Sequence, residues 1–200
     1  MYEEVSQVQP EVQRRLGRCM LRLQQYERLL KALVAHQQLE GPVGKLESLQ
    51  AEKVAKQAKQ TLGGLVTQLT GSYLSVTGEQ AGGKDLDASD PDVGQIGWMS
   101  FRFRMELPEA EHSRIVQELS ELVLLRNELV HHLIEKFDVW TLAGCQKAID
   151  HLMSSYDLID HHYKSLVSWA QAMEQSRALT SSFLNSQAFL DAFLEQPGEA

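Results

Sequence analysis

Hydrophobic residues recur along this chain at alternating intervals of four and three, the spacing of an α-helix that buries one side. This pattern appears once near the N-terminus and twice in the second half of the chain. The three runs are Val12, Leu16, Cys19, Leu23, Tyr26, Leu30 and Leu33; Ile115, Leu119, Leu122, Arg126, Leu129, Leu133 and Phe137; and Cys145, Ile149, Leu152, Tyr156, Ile159, Tyr163, Leu166, Ala170 and Met173. They predict three long helices with narrow buried faces.

Proline and glycine indicate where the helices begin and end. Pro10 suits the first turn of the first helix, and Gly41-Pro42 would end it. A second helix is predicted from about Lys45 to Tyr73, and the short connection before it makes the two helices antiparallel neighbours. The third and fourth helices are expected from Pro108 to Phe137 and from near Thr141. The predicted fold class is therefore all-α, an antiparallel bundle of four long helices.

Three further segments differ from this pattern. Residues 101–107 alternate apolar and polar side chains, which predicts one short β-strand or hairpin before the third helix. Its partner would be a segment around Ile96 to Met99, or the same strand of a second subunit. Thr77 to Gln95 is rich in glycine and aspartate and predicts a flexible acidic loop. Thr180 to Leu194 predicts a short amphipathic helix, within a C-terminal segment of residues 177–200, that could cap the bundle or bind a protein partner.

Length and composition are those of one soluble domain. The 200 residues, 43% hydrophobic and 23% charged, predict a single domain over residues 1–200. No apolar run has the length of a membrane span and the N-terminus does not resemble a signal peptide, so we expect a cytoplasmic protein without membrane contact. The formal charge of -8 argues against RNA or DNA binding by bulk electrostatics.

The sequence predicts neither a metal site nor a cofactor. Cys19 and Cys145 both lie in apolar runs and are interpreted as buried thiols. Asp157 and His161 are four residues apart on a predicted helix, yet no third ligand has suitable spacing. The densest basic group, Arg14 to Arg22 on the first helix, is interpreted as a solvated helix face.

One position of the second apolar run is charged. Arg126 lies where an apolar residue is expected, and an unpaired buried charge costs several kcal/mol. His131 follows five residues later, with Asn127 placed to orient its ring and Glu128 placed to raise its pKa. His132 is a second polar group nearby. A fixed cation beside a group that titrates near neutrality suits phosphodiester cleavage without metal, because histidine transfers protons and arginine stabilises phosphate charge.

The segment Arg126-Asn127-Glu128-Leu129-Val130-His131 resembles the R-x(4-6)-H motif of HEPN proteins, including the polar residue after the arginine. The resemblance implies a helical bundle that forms a homodimer and brings two motifs into one cleft. It also implies a metal-independent endoribonuclease of the toxin-antitoxin, defence or RNA-processing kind, acting on an RNA substrate. Arg126 and His131 would then be catalytic and Asn127 supportive.

One departure and one alternative accompany this resemblance. HEPN toxins that are silenced by a nucleotidyltransferase carry a tyrosine two residues after the histidine, where this chain has Leu133. Alternatively, Arg126 forms a structural ion pair with Glu118, Glu121 or a carboxylate of another helix. The protein would then be a non-catalytic helical adaptor or oligomerisation module.

Overall fold

Helices dominate the computed structural model, which describes residues 2–78, 98–187, 189 and 191. The helices are α1 (Tyr2–His36), α2 (Leu46–Ala58), α3 (Leu62–Ser72), α4 (Glu109–Asn127), α5 (Leu133–Lys136) and α6 (Leu142–Leu184). A 3-10 turn occupies Val43–Lys45, and a π-helical turn, Glu128–His132, joins α4 to α5. The short strands in the described residues are β1 (Gln38–Pro42), β2 (Leu74–Val76), β3 (Trp98–Arg102) and β4 (Met105–Leu107). The prediction of a mostly α-helical fold with a small β element is confirmed.

The helix faces predicted from the four-three spacing form the core. Leu30 of α1, Leu122 of α4 and Leu152 of α6 are each fully buried. Both cysteines are buried and free, which confirms the interpretation of Cys19 and Cys145 as core thiols. Burial raises the pKa of the Cys19 thiol to about 11, so this group stays protonated at neutral pH.

The first helix starts earlier than predicted. Pro10 lies inside α1, eight residues after its start at Tyr2, rather than in its first turn. Proline ordinarily disfavours a helix interior because it lacks an N–H donor. Two contacts hold this early part in place: Val5 is buried in the core, and the Gln9 side chain donates a hydrogen bond of 2.9 Å to the Val139 carbonyl.

The predicted second helix is two helices, α2 and α3, and the expectation of one helix from Lys45 to Tyr73 was wrong. Thr61 begins the new helix, because its hydroxyl accepts a hydrogen bond of 3.3 Å from the Gly64 N–H. α2 lies antiparallel to α1, since Gln50 donates to the Ala35 carbonyl whereas the later Ala58 carbonyl accepts from the earlier Lys31. The predicted connection before it, Gly41 to Gly44, is partly strand β1.

The last helix runs in the same direction as the first. Cys19 lies against the Leu152 carbonyl at 3.4 Å, and Arg22 forms an ion pair of 3.1 Å with Asp160. Contacts that advance together along both helices mean that α1 and α6 run parallel. The predicted antiparallel arrangement therefore does not hold for this pair.

The predicted strand over residues 101–107 is divided between β3 and β4. β3 pairs antiparallel with β1, with Gln38 opposite Arg102, and β4 pairs parallel with β2, with Leu74 opposite Met105. Neither partner was predicted, because β1 and β2 are too short to show an alternation of their own. The expected partner around Ile96 to Met99 was wrong, since Met99 itself belongs to β3.

α6 extends further than predicted. It continues through Thr180, where a separate helix was expected to begin, and ends at Leu184 with Asn185 as its C-cap. No glycine or proline interrupts residues 173–184, which explains the continuation. In the rest of that predicted helix, Gln187, Phe189 and Asp191 are helical, and residues 188, 190 and 192–194 lie outside the described residues, as does the acidic loop from residue 79 to Gln95.

Candidate active site

Arg126 and His131 lie on either side of a change in helix type. Arg126 and Asn127 end α4, whereas His131 and His132 belong to the π turn. On a regular α-helix, residues five apart are offset by about 140°. A π turn has hydrogen bonds between residues five apart instead of four and occurs frequently at functional sites. It therefore reduces the offset between Arg126 and His131, and no sequence pattern had predicted it.

Arg126 is half-buried at the edge of the apolar face, between the buried residues Leu122 and Leu129. Its Nη1 donates a hydrogen bond of 3.2 Å to Asn127 Oδ1. Within the described residues its guanidinium forms no ion pair with a carboxylate. Its positive charge is therefore available to an external anion.

The two carboxylates considered as structural partners of Arg126 are engaged elsewhere. Glu118 forms an ion pair of 2.6 Å with Arg114, and Glu121 accepts a hydrogen bond of 2.9 Å from Gln117. Each contact joins residues four apart on the exposed side of α4. Neither carboxylate offsets the charge of Arg126.

The histidines of the motif are exposed. The rings of His131 and His132 meet edge to face, with centroids 6.2 Å apart. His132 Nδ1 lies 2.8 Å from Glu135 Oε2. Asn127, which was expected to orient the His131 ring, instead accepts the hydrogen bond from Arg126. The His131 ring is consequently accessible to solvent and to a substrate.

Glu128 faces α6 rather than His131. Its carboxylate lies 2.6 Å from His151 Nε2 and accepts hydrogen bonds of 2.9 Å from Lys136. Burial raises the pKa of Glu128, but the hydrogen bond from Lys136 and the charges of His151 and Lys136 outweigh it, so the pKa is lowered overall. Glu128, which was expected to act on His131, instead contacts His151 and Lys136.

His151 is a residue of this region that sequence reasoning missed. It lies on α6, contacts Glu128 and stacks at 5.1 Å on the Phe137 ring. These contacts connect the π turn and the residue that follows α5 to a long, well-packed helix. The sequence carried only a weak signal, a histidine directly before Leu152 of the α6 run, because the pairing depends on how α4 and α6 are aligned.

A second group of charged side chains lies between α1 and α6. Arg18 and Arg22 were interpreted as part of a solvated face, but both stack on aromatic rings of α6. The Arg18 guanidinium is 4.6 Å from the centre of the Tyr156 ring, and that of Arg22 is 4.6 Å from the centre of the Tyr163 ring. Each contact contributes about 0.5–1 kcal/mol at exposed sites. These arginines therefore join the two helices.

The buried histidine of α6, His162, predicts a pH dependence of stability. Burial lowers the pKa of His162 from its ordinary value of 6.5. Between the ordinary pKa of the unfolded chain and the lowered pKa of the folded protein, the unfolded chain binds more protons than the folded one. The contribution of His162 to stability is therefore fully present above about pH 6.5 and is lost as pH falls through the folded pKa. We expect wild-type protein to unfold at lower urea concentration at pH 5.5 than at pH 7.5, and His162→Gln to lose part of this difference.

The matched control is His112→Gln, which removes a less buried histidine of α4. His36 contributes in the same pH window, because burial and Arg177 lower its pKa as well. The pH dependence should therefore shrink in His162→Gln but not vanish. An unchanged pH dependence in that variant contradicts the assignment.

Comparisons with protein-family models, curated proteins and solved structures found no match to this chain. Within the described residues, no helix combines the length and apolar character needed to cross a membrane. The same part of the chain contains no group of three or more histidine, cysteine or acidic side chains placed to hold a metal ion. The resemblance to HEPN proteins therefore rests on the six residues from Arg126 to His131.

Proposed function

We propose that this protein is a metal-independent endoribonuclease whose active site forms between two copies of the chain. Arg126 and His131 of both protomers are the catalytic residues, and Asn127 positions Arg126. The observation that carries the proposal is the Arg126 guanidinium, which is half-buried, bound by Asn127 and without a carboxylate partner among the described residues. The biological setting we propose is that of a toxin, a defence factor or an RNA-processing enzyme.

The reaction follows from the two kinds of side chain. The ribose 2′-oxygen attacks the adjacent phosphorus while a neutral His131 accepts the 2′-hydroxyl proton. The bond from phosphorus to the 5′-oxygen breaks, and a protonated His131 of the other protomer donates a proton to that oxygen. Arg126 stabilises the negative charge that builds on the phosphoryl oxygens. The products are a 2′,3′-cyclic phosphate and a 5′-hydroxyl.

The surface around the motif supports association of two copies. Leu124, before the motif, is 67% exposed, and Ile134, after it, is 73% exposed. Large apolar side chains exposed beside a functional group are typical of interaction sites. One chain supplies one Arg126 and one His131, so a second copy provides the separate acid and base that the reaction requires.

The direct test is incubation of purified protein with a mixed RNA pool in excess chelator. We expect fragments that end in a 2′,3′-cyclic phosphate and begin with a 5′-hydroxyl. Fragments with a 5′-phosphate would contradict the proposed chemistry. The absence of cleavage by a protein that is dimeric in the same buffer would contradict the enzymatic function.

Charge introduced into the proposed interface should separate the protomers. We expect Leu124→Glu combined with Ile134→Glu to weaken self-association at least tenfold, about 1.4 kcal/mol, because two carboxylates would be buried against the second copy. Sedimentation velocity over a concentration series measures this. Leu21→Glu is the control, since Leu21 is 62% exposed on α1. Equal association of all three proteins contradicts the placement of the interface.

A non-catalytic adaptor is the second candidate, and the end of α6 favours it. Leu179 and Phe183 are 72% and 57% exposed there, and both are large apolar side chains. A protein partner of this segment would cover them. A stable dimer that never cleaves RNA, together with a partner whose binding is abolished by Phe183→Ser, would support the adaptor over the ribonuclease.

A further inference from the structure

A cavity lies where the end of α1, the β1–β3 pair and the end of α6 meet, away from the motif. Its volume is about 420 Å³, and at about 30 Å³ for each water-sized group it holds about 14 non-hydrogen atoms. Arg177 in its wall follows His151 by 26 residues on α6, a separation of about 39 Å along the helix. None of the described residues that line it is acidic. The cavity therefore suits a small molecule and does not repel an anion.

One wall of the cavity is the apolar face of the β1–β3 pair. Leu39 and Phe101 lie directly opposite each other in the register, so their side chains share one face. Phe103 lies two residues further along on the same side, and its N–H continues the pairing with a hydrogen bond of 2.7 Å to the Gln37 carbonyl. All three side chains line the cavity and are half-buried, so a ligand can reach them. The two phenyl rings favour contact with a further aromatic ring.

Arg177 supplies the cavity with a cation that has spare hydrogen-bonding capacity. Its side chain is 43% exposed, so the guanidinium is accessible to a ligand. Within the described residues its ion-pair partner is Glu174, which is 3.7 Å away and 74% exposed. This distance exceeds that of a hydrogen bond, and so exposed a pair contributes little. The guanidinium can therefore donate paired hydrogen bonds to a carboxylate in the cavity.

His36, which is half-buried in the wall, supplies a second donor near Arg177. Gln50 Nε2 donates to the Ala35 carbonyl at 3.1 Å and lies 3.0 Å from His36 Nδ1. Because Nδ1 accepts this hydrogen bond, the neutral ring carries its proton on Nε2. Burial and the charge of Arg177 lower the pKa of His36, although Glu174 opposes them. The positive charge of Arg177 therefore reaches the ring, and an anion beside both side chains would be stabilised by both.

We propose that this cavity binds a small aromatic carboxylate, whose negative charge lies at Arg177 and whose ring packs on Phe101 and Phe103. His36 donates a second hydrogen bond to the carboxylate. A phenyl or indole ring with a short acidic side chain has the required size, one negative charge and one apolar body. The motif residues do not line the cavity, so this site is independent of the proposed ribonuclease.

The test is calorimetric titration of the intact protein with 3-phenylpropionate, indole-3-propionate and the uncharged analogue 3-phenylpropan-1-ol. At least one acid should bind at millimolar concentration or below, and 3-phenylpropionate should bind about tenfold more tightly than the alcohol, because only the acid accepts charged hydrogen bonds. Arg177→Gln should weaken binding of the acid about tenfold, leave that of the alcohol unchanged and keep the wild-type melting temperature, since the side chain is exposed. Arg114→Gln is the matched control and should bind like wild type, because Arg114 is 57% exposed on α4 and does not line the cavity.

Two further measurements test the aromatic wall and the place of binding. Octanoate carries the same charge without a ring and should bind more weakly than 3-phenylpropionate. In NMR spectra, the ring signals of His36, assigned with His36→Gln, should shift during the titration, whereas those of His131 should not. The inference is overturned if neither aromatic acid binds, if Arg177→Gln binds the acid as tightly as wild type, if octanoate binds more tightly, or if the His36 signals stay unchanged.

Discussion

Replacement of His131 by alanine is expected to reduce RNA cleavage at least ~100-fold. Proton transfer by a positioned side chain contributes about 10²- to 10⁴-fold to a reaction of this kind. The imidazole is exposed and forms no hydrogen bond with the rest of the described chain, so its loss should leave the fold intact. Single-turnover cleavage of one purified RNA, in excess chelator, measures the effect.

Arg126 variants test the other half of the site. Arg126→Ala should also reduce cleavage by about 100-fold or more, since one preorganised donor to developing charge contributes that much. Arg126→Lys should recover only part of the loss, because an ammonium lacks the planar pair of donors of a guanidinium. If Arg126 had only a structural role, both substitutions would lower the melting temperature, and cleavage would not be lost in Arg126→Ala and partly recovered in Arg126→Lys.

His112→Ala is the matched control for both catalytic variants. His112 lies near the start of α4, far along the helix from the motif. It should cleave RNA at the wild-type rate. Equal rates for His131→Ala and His112→Ala would contradict the catalytic assignment of His131.

Gly144→Ala is expected to destabilise the protein strongly, although it adds only one methyl group. Gly144 lies in the first turn of α6, and a Cβ there would overlap the Asp138 carbonyl oxygen and approach the Thr141 hydroxyl. Backbone cannot move aside cheaply, so we expect a loss of about 3 kcal/mol. For a chain of this length this lowers the melting temperature by about 6–12 °C.

Gly17→Ala provides the opposite expectation for the same substitution. Gly17 lies within α1, and a Cβ there meets no atom within 4 Å. Alanine should therefore stabilise the protein by about 0.5–1 kcal/mol, because it restricts the unfolded chain and favours helix. Differential scanning calorimetry of both variants measures the contrast. Similar melting temperatures for the two would contradict the close approach of Asp138 to Gly144.

The long helices could be predicted from sequence because each repeats its apolar spacing over many turns. Leu30, Leu122 and Leu152 all belong to such runs, and all are fully buried. Thr141 also marked a helix start correctly, since its hydroxyl accepts a hydrogen bond from Gly144 N–H. In these elements local pattern and tertiary burial agree.

Elements that depend on distant parts of the chain could not be predicted. β1 and β2 are short, and their strand partners are the distant β3 and β4. The break before Thr61 was missed because residues 45–62 contain no glycine or proline to mark it. Pro10 was wrongly expected in the first turn of α1, because contacts of Val5 and Gln9 extend the helix on the N-terminal side of the proline.

The candidate site could be predicted only in part. Arg126 was detectable because a charge stood in an apolar run, and His131 because of its spacing from Arg126. Their surroundings were not detectable: Glu128 pairs with His151, which is 23 residues away in sequence, and the π turn depends on packing around it. Spacing along the sequence can identify candidate residues such as Arg126 and His131. The contact partners of these residues can be known only once the alignment of α4 against α6 is known.

The most direct test of the shared site is the cleavage rate per protomer, measured in chelator across protein concentrations that span dissociation of the dimer. We predict that the rate falls in proportion to the dimeric fraction measured by sedimentation. A rate per protomer that stays constant after the protein becomes monomeric would contradict a site built from two copies.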